Sequence, residues 1–80
     1  MRLLFYAMKH DYKEISAISI SNAIDLWVHD ERDRIILKRV LLDIIHYEAL
    51  AEEMGISVST VKRAMDKHEY TVFKKAQKMN

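Results

Sequence analysis

The sequence contains no cysteine, no proline and a single glycine among its 80 residues. Without cysteine the chain has no disulfide, no zinc site built on thiolates and no cysteine nucleophile. Sandwiches and barrels of β-strands use many Gly and Pro residues in their turns, so the scarcity of both argues against those folds. The same scarcity argues against an enzyme with a glycine-rich phosphate loop.

Long apolar stretches are also missing from the sequence. The run over residues 3–8 ends at Lys9 after six residues, whereas a membrane-spanning helix needs about 18–20. Half of the residues are nonetheless hydrophobic, which suffices for the core of one small domain. We therefore expect a soluble protein that does not bind a membrane, and the lack of cysteine suits a reducing cytoplasm.

Charge is nearly balanced overall and unevenly distributed. The formal net charge is +1, too small to indicate a nucleic-acid partner by itself. Residues 47–56 contain three acidic and no basic residues, whereas residues 57–80 contain six basic and two acidic ones. The excess of positive charge thus lies in the last third of the chain, an asymmetry that needs an explanation.

Apolar residues recur at helical spacing along most of the chain, which predicts an all-α fold. Residues 1–18 form an N-terminal arm whose structure the sequence leaves open, because residues 3–8 suit a strand or a helical turn. Residues 13–18 suit the start of a helix, whereas alternation over residues 16–21 weakly favours extended chain. Residues 19–80 form the helical domain.

Two helices are predicted in the first half of that domain. The first starts at an N-cap provided by Ser19 or Ser21 and ends near His29. The second runs from Glu31 to Ile45, with Asp30 as its N-cap and acidic residues near its positive end. Because apolar residues surround most of its circumference, we expect the second helix to be central.

Two further helices follow, over residues 47–54 and about 58–78. Gly55 ends the first of them in the left-handed conformation, and Ser57 caps the second. The inward stripe of the last helix comprises Val61, Ala64, Met65, His68, Val72, Ala76 and Met79. Aromatic residues expected in the core are Phe5, Tyr6, Trp27 and Phe73.

The far turns of the last helix need a covering surface. One solution is the N-terminal arm of the same chain, and the other is a dimer or a partner protein. The sequence does not choose between them.

Residues 47–63 have the spacing of a helix-turn-helix. An eight-residue helix, a three-residue turn at 55–57 and a second helix follow one another. Ala51 is small enough for a close helix crossing, and four residues later Gly55 provides positive φ. Apolar residues that would fill the space between the helices are Leu50, Met54, Ile56, Val61 and Ala64.

Three motifs give the chain a family resemblance: ERDR at residues 31–34, YEALAEEMGIS at 47–57 and STVKR at 59–63. With these motifs the sequence resembles region 4 of bacterial sigma factors, especially the small stand-alone sigma-region-4-like proteins of Gram-positive bacteria and their phages. The resemblance covers about residues 20–78. It departs from the family at 43–46, where the usual Gly and Ser/Thr cap are absent.

The resemblance implies a transcription regulator whose last helix enters the major groove of double-stranded DNA. In sigma factors that DNA is the −35 promoter element, and the same domain touches the RNA polymerase flap. The recognition helix here would be residues 58–67. The predicted DNA-binding residues are Tyr47, Ser57, Val58, Ser59, Thr60, Lys62, Arg63 and Lys67.

These residues suit different parts of a DNA site. Arg63 can pair with guanine O6 and N7, and Val58 can touch a thymine methyl group. The hydroxyls of Ser59 and Thr60 can reach bases or phosphates. Phosphate contacts are expected from Lys62, Lys67 and the Tyr47 phenol, with Lys38 or Arg39 as further candidates.

A protein-interaction module is the alternative. The same fold could dock on RNA polymerase or a sigma factor without reading DNA, and the near-neutral charge and the acids Glu48, Glu52 and Glu53 suit this hypothesis. Enzyme activity is not expected, since neither a metal ligand set nor a nucleophilic arrangement is recognisable and no cofactor is implied. The scattered histidines are His10, His29, His46 and His68.

Overall fold

The computed structural model describes residues 2–4 and 14–79. Two short strands and four helices occur in this part of the chain. Their bounds are β1 Arg2–Leu4, β2 Glu14–Ser16, α1 Ala17–Trp27, α2 Glu31–Leu41, α3 Tyr47–Met54 and α4 Val58–Met79. The domain is all-α apart from the three-residue strand pair, as the helical spacing of apolar residues predicts.

The strand pair lies at the start of the chain. β1 and β2 run antiparallel, with Leu3 opposite Ile15. Ile15 is fully buried in the hydrophobic core, so the end of the predicted arm is part of the folded domain. The expected core positions of Phe5 and Tyr6 lie outside the described residues.

Helix α1 begins earlier than predicted and also ends earlier. Its N-cap is Ser16, whose side chain accepts a hydrogen bond of 3.1 Å from the backbone N–H of Ser19. Ser19 is therefore a buried residue of the first turn instead of the cap. The extended chain suggested for 16–21 holds for Ser16, the last residue of β2, and is wrong for 17–21, which are helical. Val28 ends the helix in extended conformation.

Helix α2 begins as predicted and ends four residues before Ile45. The Asp30 side chain caps it by accepting a 3.0 Å hydrogen bond from the N–H of Asp33. Past Leu41 the backbone leaves the helical path, and Ile44 adopts a φ of 57°. This left-handed residue turns the chain sharply into α3 and replaces the continuous helix that apolar spacing suggested.

The core forms mainly between α1 and α4, the most extensively packed pair of helices. Val72, Phe73 and Ala76 of α4 are all buried there, with Phe73 only 1% exposed. The far half of α4 is thus covered mainly by α1, a solution that the sequence reasoning did not offer, since it considered only the N-terminal arm or a partner.

Two residues expected inside lie at the surface. Trp27 is 46% exposed, and the ammonium group of Lys75 lies 4.3 Å from the centroid of its ring. Met79 is 40% exposed at the end of α4. Both lie at helix ends, where fewer neighbours remain to cover a side chain.

Candidate nucleic-acid interface

The connection between α3 and α4 follows the predicted three-residue turn. Gly55 has a φ of 68°, and the backbone N–H of Ile56 reaches back to the carbonyl of Ala51 at 2.9 Å. These features close the end of α3 with a left-handed residue. Leu50 and Ala51 are buried beneath the turn, so α3 is held against α4 by its apolar face.

Ser57 starts α4. Its hydroxyl oxygen accepts a 3.1 Å hydrogen bond from the N–H of Thr60 and lies 2.8 Å from the Thr60 hydroxyl. This cap satisfies a backbone donor of the first turn. Val58 and Ser59 are exposed beside it, so the first turn presents small side chains to solvent.

A basic stripe runs along α4. Arg63, Lys67, Lys74 and Lys78 are all exposed, and their spacings of four, seven and four residues place them on one face of a helix. From first to last they span about 22 Å at 1.5 Å per residue. The predicted Lys62 is also exposed, one position from Arg63.

The stripe borders a cleft between α4 and the start of α2. The cleft has a volume of about 160 Å³ and is open to solvent. Its lining residues are Arg32, Asp33, Thr60, Arg63, Ala64 and Lys67. Three cations from two helices therefore converge on one concave surface, which we name the cation cleft, with Arg32, Arg63 and Lys67 as its cations.

The carboxylate of Asp33 in this cleft already has a partner. Its Oδ2 lies 2.9 Å from Nε2 of His68, and both side chains are largely buried. The pair connects α2 with the middle of α4. Asp33 thus serves the packing of the two helices beneath the cation cleft.

A second acid, Asp30, lies next to the cation cleft. The hydrogen bond from the N–H of Asp33, together with the nearby charges of Arg32 and Lys67, lowers the pKa of the Asp30 carboxyl. Its carboxylate is therefore negatively charged at neutral pH and lies near Arg32 and Lys67, two of the three cations that line the cleft.

Tyr47 has acidic surroundings. Partial burial and then the carboxylates of Glu69 and Asp66 raise the pKa of its phenol. Asp66 and Glu69 form what we name the acidic edge of α4, which lies near Tyr47 of α3. A phosphate near Tyr47 would meet these carboxylates, so the surroundings do not favour the predicted contact.

Lys38 and Arg39, the further phosphate candidates, are paired with acids of this chain. Lys38 Nζ lies 2.7 Å from Asp25 Oδ1. Arg39 binds Glu53 through two nitrogens and Asp43 at 2.7 Å. These pairs join α2 to α1 and α3, and they leave both cations committed to the fold.

The acids of α3 are exposed, as predicted. Glu53 lies beside Arg39, which is seven residues along α2 from Arg32. Seven residues correspond to about 10 Å of helix, so Glu53 is remote from the cation cleft.

Sequence reasoning missed three residues of the basic stripe and the cation cleft. Lys74 and Lys78 could have been found from their spacing to Arg63. Arg32 could not, because only the packing of α2 against α4 brings it beside Lys67.

Other kinds of site find no support in residues 2–4 and 14–79. No cluster of three His, Cys, Asp or Glu residues suitable for a metal ion occurs there. Within the same ranges, no helix has the combination of length and hydropathy needed to cross a bilayer. His29 and His46 are exposed, and His68 is bonded to Asp33.

Comparison with protein-family models, with curated proteins and with solved structures finds no match for this chain. The resemblance to sigma region 4 consequently stays a prediction made from its motifs, and any function is argued from the surface just described.

Proposed function

We propose that this protein is a sequence-specific double-stranded DNA-binding transcription regulator with a sigma-region-4-like helix-turn-helix. The observation that carries the proposal is the convergence of Arg32, Arg63 and Lys67 on the cation cleft, continued by the basic stripe of α4. Such an arrangement suits the phosphate backbone, which supplies most of the electrostatic free energy of DNA binding.

Base reading belongs to the first turns of α4 in this proposal. Val58, Ser59 and Lys62 are exposed there, and the N-terminal residues of a recognition helix are those that meet base edges. Arg63 follows these residues along α4 and itself lines the cation cleft, so its guanidinium can reach a guanine or a phosphate. Lys67 and Lys74 then contact flanking phosphates.

Regulation through RNA polymerase is the finer part of the proposal. One small domain neutralises few phosphates, so by itself it binds DNA modestly and with steep salt dependence. A bound polymerase would supply the remaining affinity. A homodimer would do the same by presenting two recognition helices to a symmetric site.

The test compares two substitutions on α4. Arg63→Ala removes a cation from the cleft and should weaken binding to a preferred duplex by about 1–3 kcal/mol, with relaxed sequence preference. Lys75→Ala is the control, because Lys75 lies over Trp27 on the α1 side of the helix. Titration of a fluorescent duplex measures both. Equal affinities for Arg63→Ala and the unmodified chain would contradict the proposal.

A protein-interaction module is the second candidate function. It is favoured by Ile18 and Leu26 of α1, which are 74% and 59% exposed and lie eight residues apart on one helix. Phe73 cannot serve as a contact for such a partner, since it is buried in the core. Ile18→Ser with Leu26→Ser should abolish polymerase or sigma-factor binding if this candidate is right and leave duplex binding unchanged.

A further inference from the structure

The N-cap of α2 combines two tasks at one position. The Asp30 carboxylate accepts the N–H of Asp33 at 3.0 Å and so closes the first turn of α2. Arg32 and Asp33, the next residues of that turn, line the cation cleft. The capping side chain of Asp30 therefore lies where its negative charge acts on the cations of the cleft.

We infer that Asp30 sets the affinity of the DNA interface by competing with a DNA phosphate for the cations Arg32 and Lys67. The inference rests on the proposed function. It concerns a residue outside the turn and recognition helix, and it gives that residue a role in binding besides its structural one.

Competition follows from the positions of the charges. Asp33 is engaged by His68 beneath the cleft, whereas Asp30 is exposed. A phosphate that approaches Arg32 and Lys67 brings a second negative charge next to the Asp30 carboxylate. The repulsion lowers affinity, and salt screens it because the carboxylate is exposed to solvent.

The cap and the charge can be separated by substitution. Asparagine and serine are as good at the N-cap as aspartate, so Asp30→Asn and Asp30→Ser should keep α2 intact while removing the charge. Both should bind a duplex about two- to tenfold more tightly at low salt, chiefly through faster association. The gain should shrink at physiological salt.

Glu31→Gln is the matched control. Glu31 is the neighbouring exposed acid of the same turn, and its substitution changes the net charge by the same amount. An equal gain from Glu31→Gln would mean that net charge alone sets affinity and would overturn the specific role of Asp30. Thermal unfolding of all three variants checks that the helix is retained.

Double substitutions complete the test. In a Lys67→Ala background, Asp30→Asn should give a smaller gain in duplex affinity, because one of the two cations for which Asp30 competes with phosphate is absent. An undiminished gain would overturn competition at the cleft.

The outcomes separate this inference from the proposed function. If the unmodified chain and Asp30→Asn both fail to bind any duplex at low salt, the proposed function fails. If the chain binds and Arg63→Ala weakens it while Asp30→Asn changes nothing, the function stands and the role of Asp30 is refuted.

Discussion

Nε2 of His68 lies 2.9 Å from Oδ2 of Asp33, which joins the middle of α4 to the first turn of α2. This bond fixes the two helices that together form the cation cleft. The imidazole and the carboxylate are both largely buried. Because Asp33 is bonded to His68, an acidic residue is tolerated among the cations of the cleft.

Removal of either partner should destabilise the fold. Asp33→Ala and His68→Ala should each lower the free energy of unfolding by about 1–3 kcal/mol, because the hydrogen bond is lost and the remaining partner stays buried without one. The double variant should lose less than the sum of the two. Urea denaturation measures all three, and strictly additive losses would contradict a direct bond.

Gly55 should be required for its backbone conformation. An added Cβ meets nothing within 4 Å, so sterics with neighbours do not restrict this position. The φ of 68° does restrict it. Gly55→Ala should lower the free energy of unfolding by about 1 kcal/mol, and Gly55→Asn by less, because asparagine visits the left-handed region. Equal melting temperatures for Gly55→Ala and the unmodified chain would show that positive φ at this turn does not require glycine.

Glu69 should make stability depend on pH. Partial burial, and then the nearby Asp66 carboxylate, raise the pKa of Glu69 above its ordinary value of 4.5. The folded state therefore holds this proton to higher pH than the unfolded chain does. Stability is lost as pH rises from 4.5 through the raised pKa, and below 4.5 the penalty is absent.

The substitution Glu69→Gln removes that penalty. It should stabilise the protein by a few tenths of a kcal/mol at neutral pH, a small effect because the carboxylate is partly exposed and screened. The gain should disappear in acid. Unfolding free energies measured between pH 3 and pH 7 test this, and a gain that grows as pH falls would contradict it.

Sequence reasoning went furthest where local chemistry decides the structure. The end of α3 at Gly55 and the caps Asp30 and Ser57 depend on residues within one turn of each other, so their patterns could be read directly. The bounds of α1 were wrong because several serines near its start could all serve as caps. Only the structure selects Ser16.

Features that depend on packing between distant segments were not predictable. Arg32 reaches the cation cleft, and Asp33 reaches His68, because α2 crosses α4. The exposure of Trp27 likewise depends on where α1 ends relative to Lys75. Periodicity within one helix contains no information on these contacts.

If the first turns of α4 read double-stranded DNA, selection of bound duplexes from a random pool tests this most directly. The purified chain should enrich one motif at low salt and retain it at physiological salt, with affinity falling steeply as salt rises. A symmetric motif would indicate a dimer, and a single half-site a monomer. Enrichment of no motif, with binding that vanishes as salt is raised, would contradict the claim and leave only nonspecific attraction to phosphate.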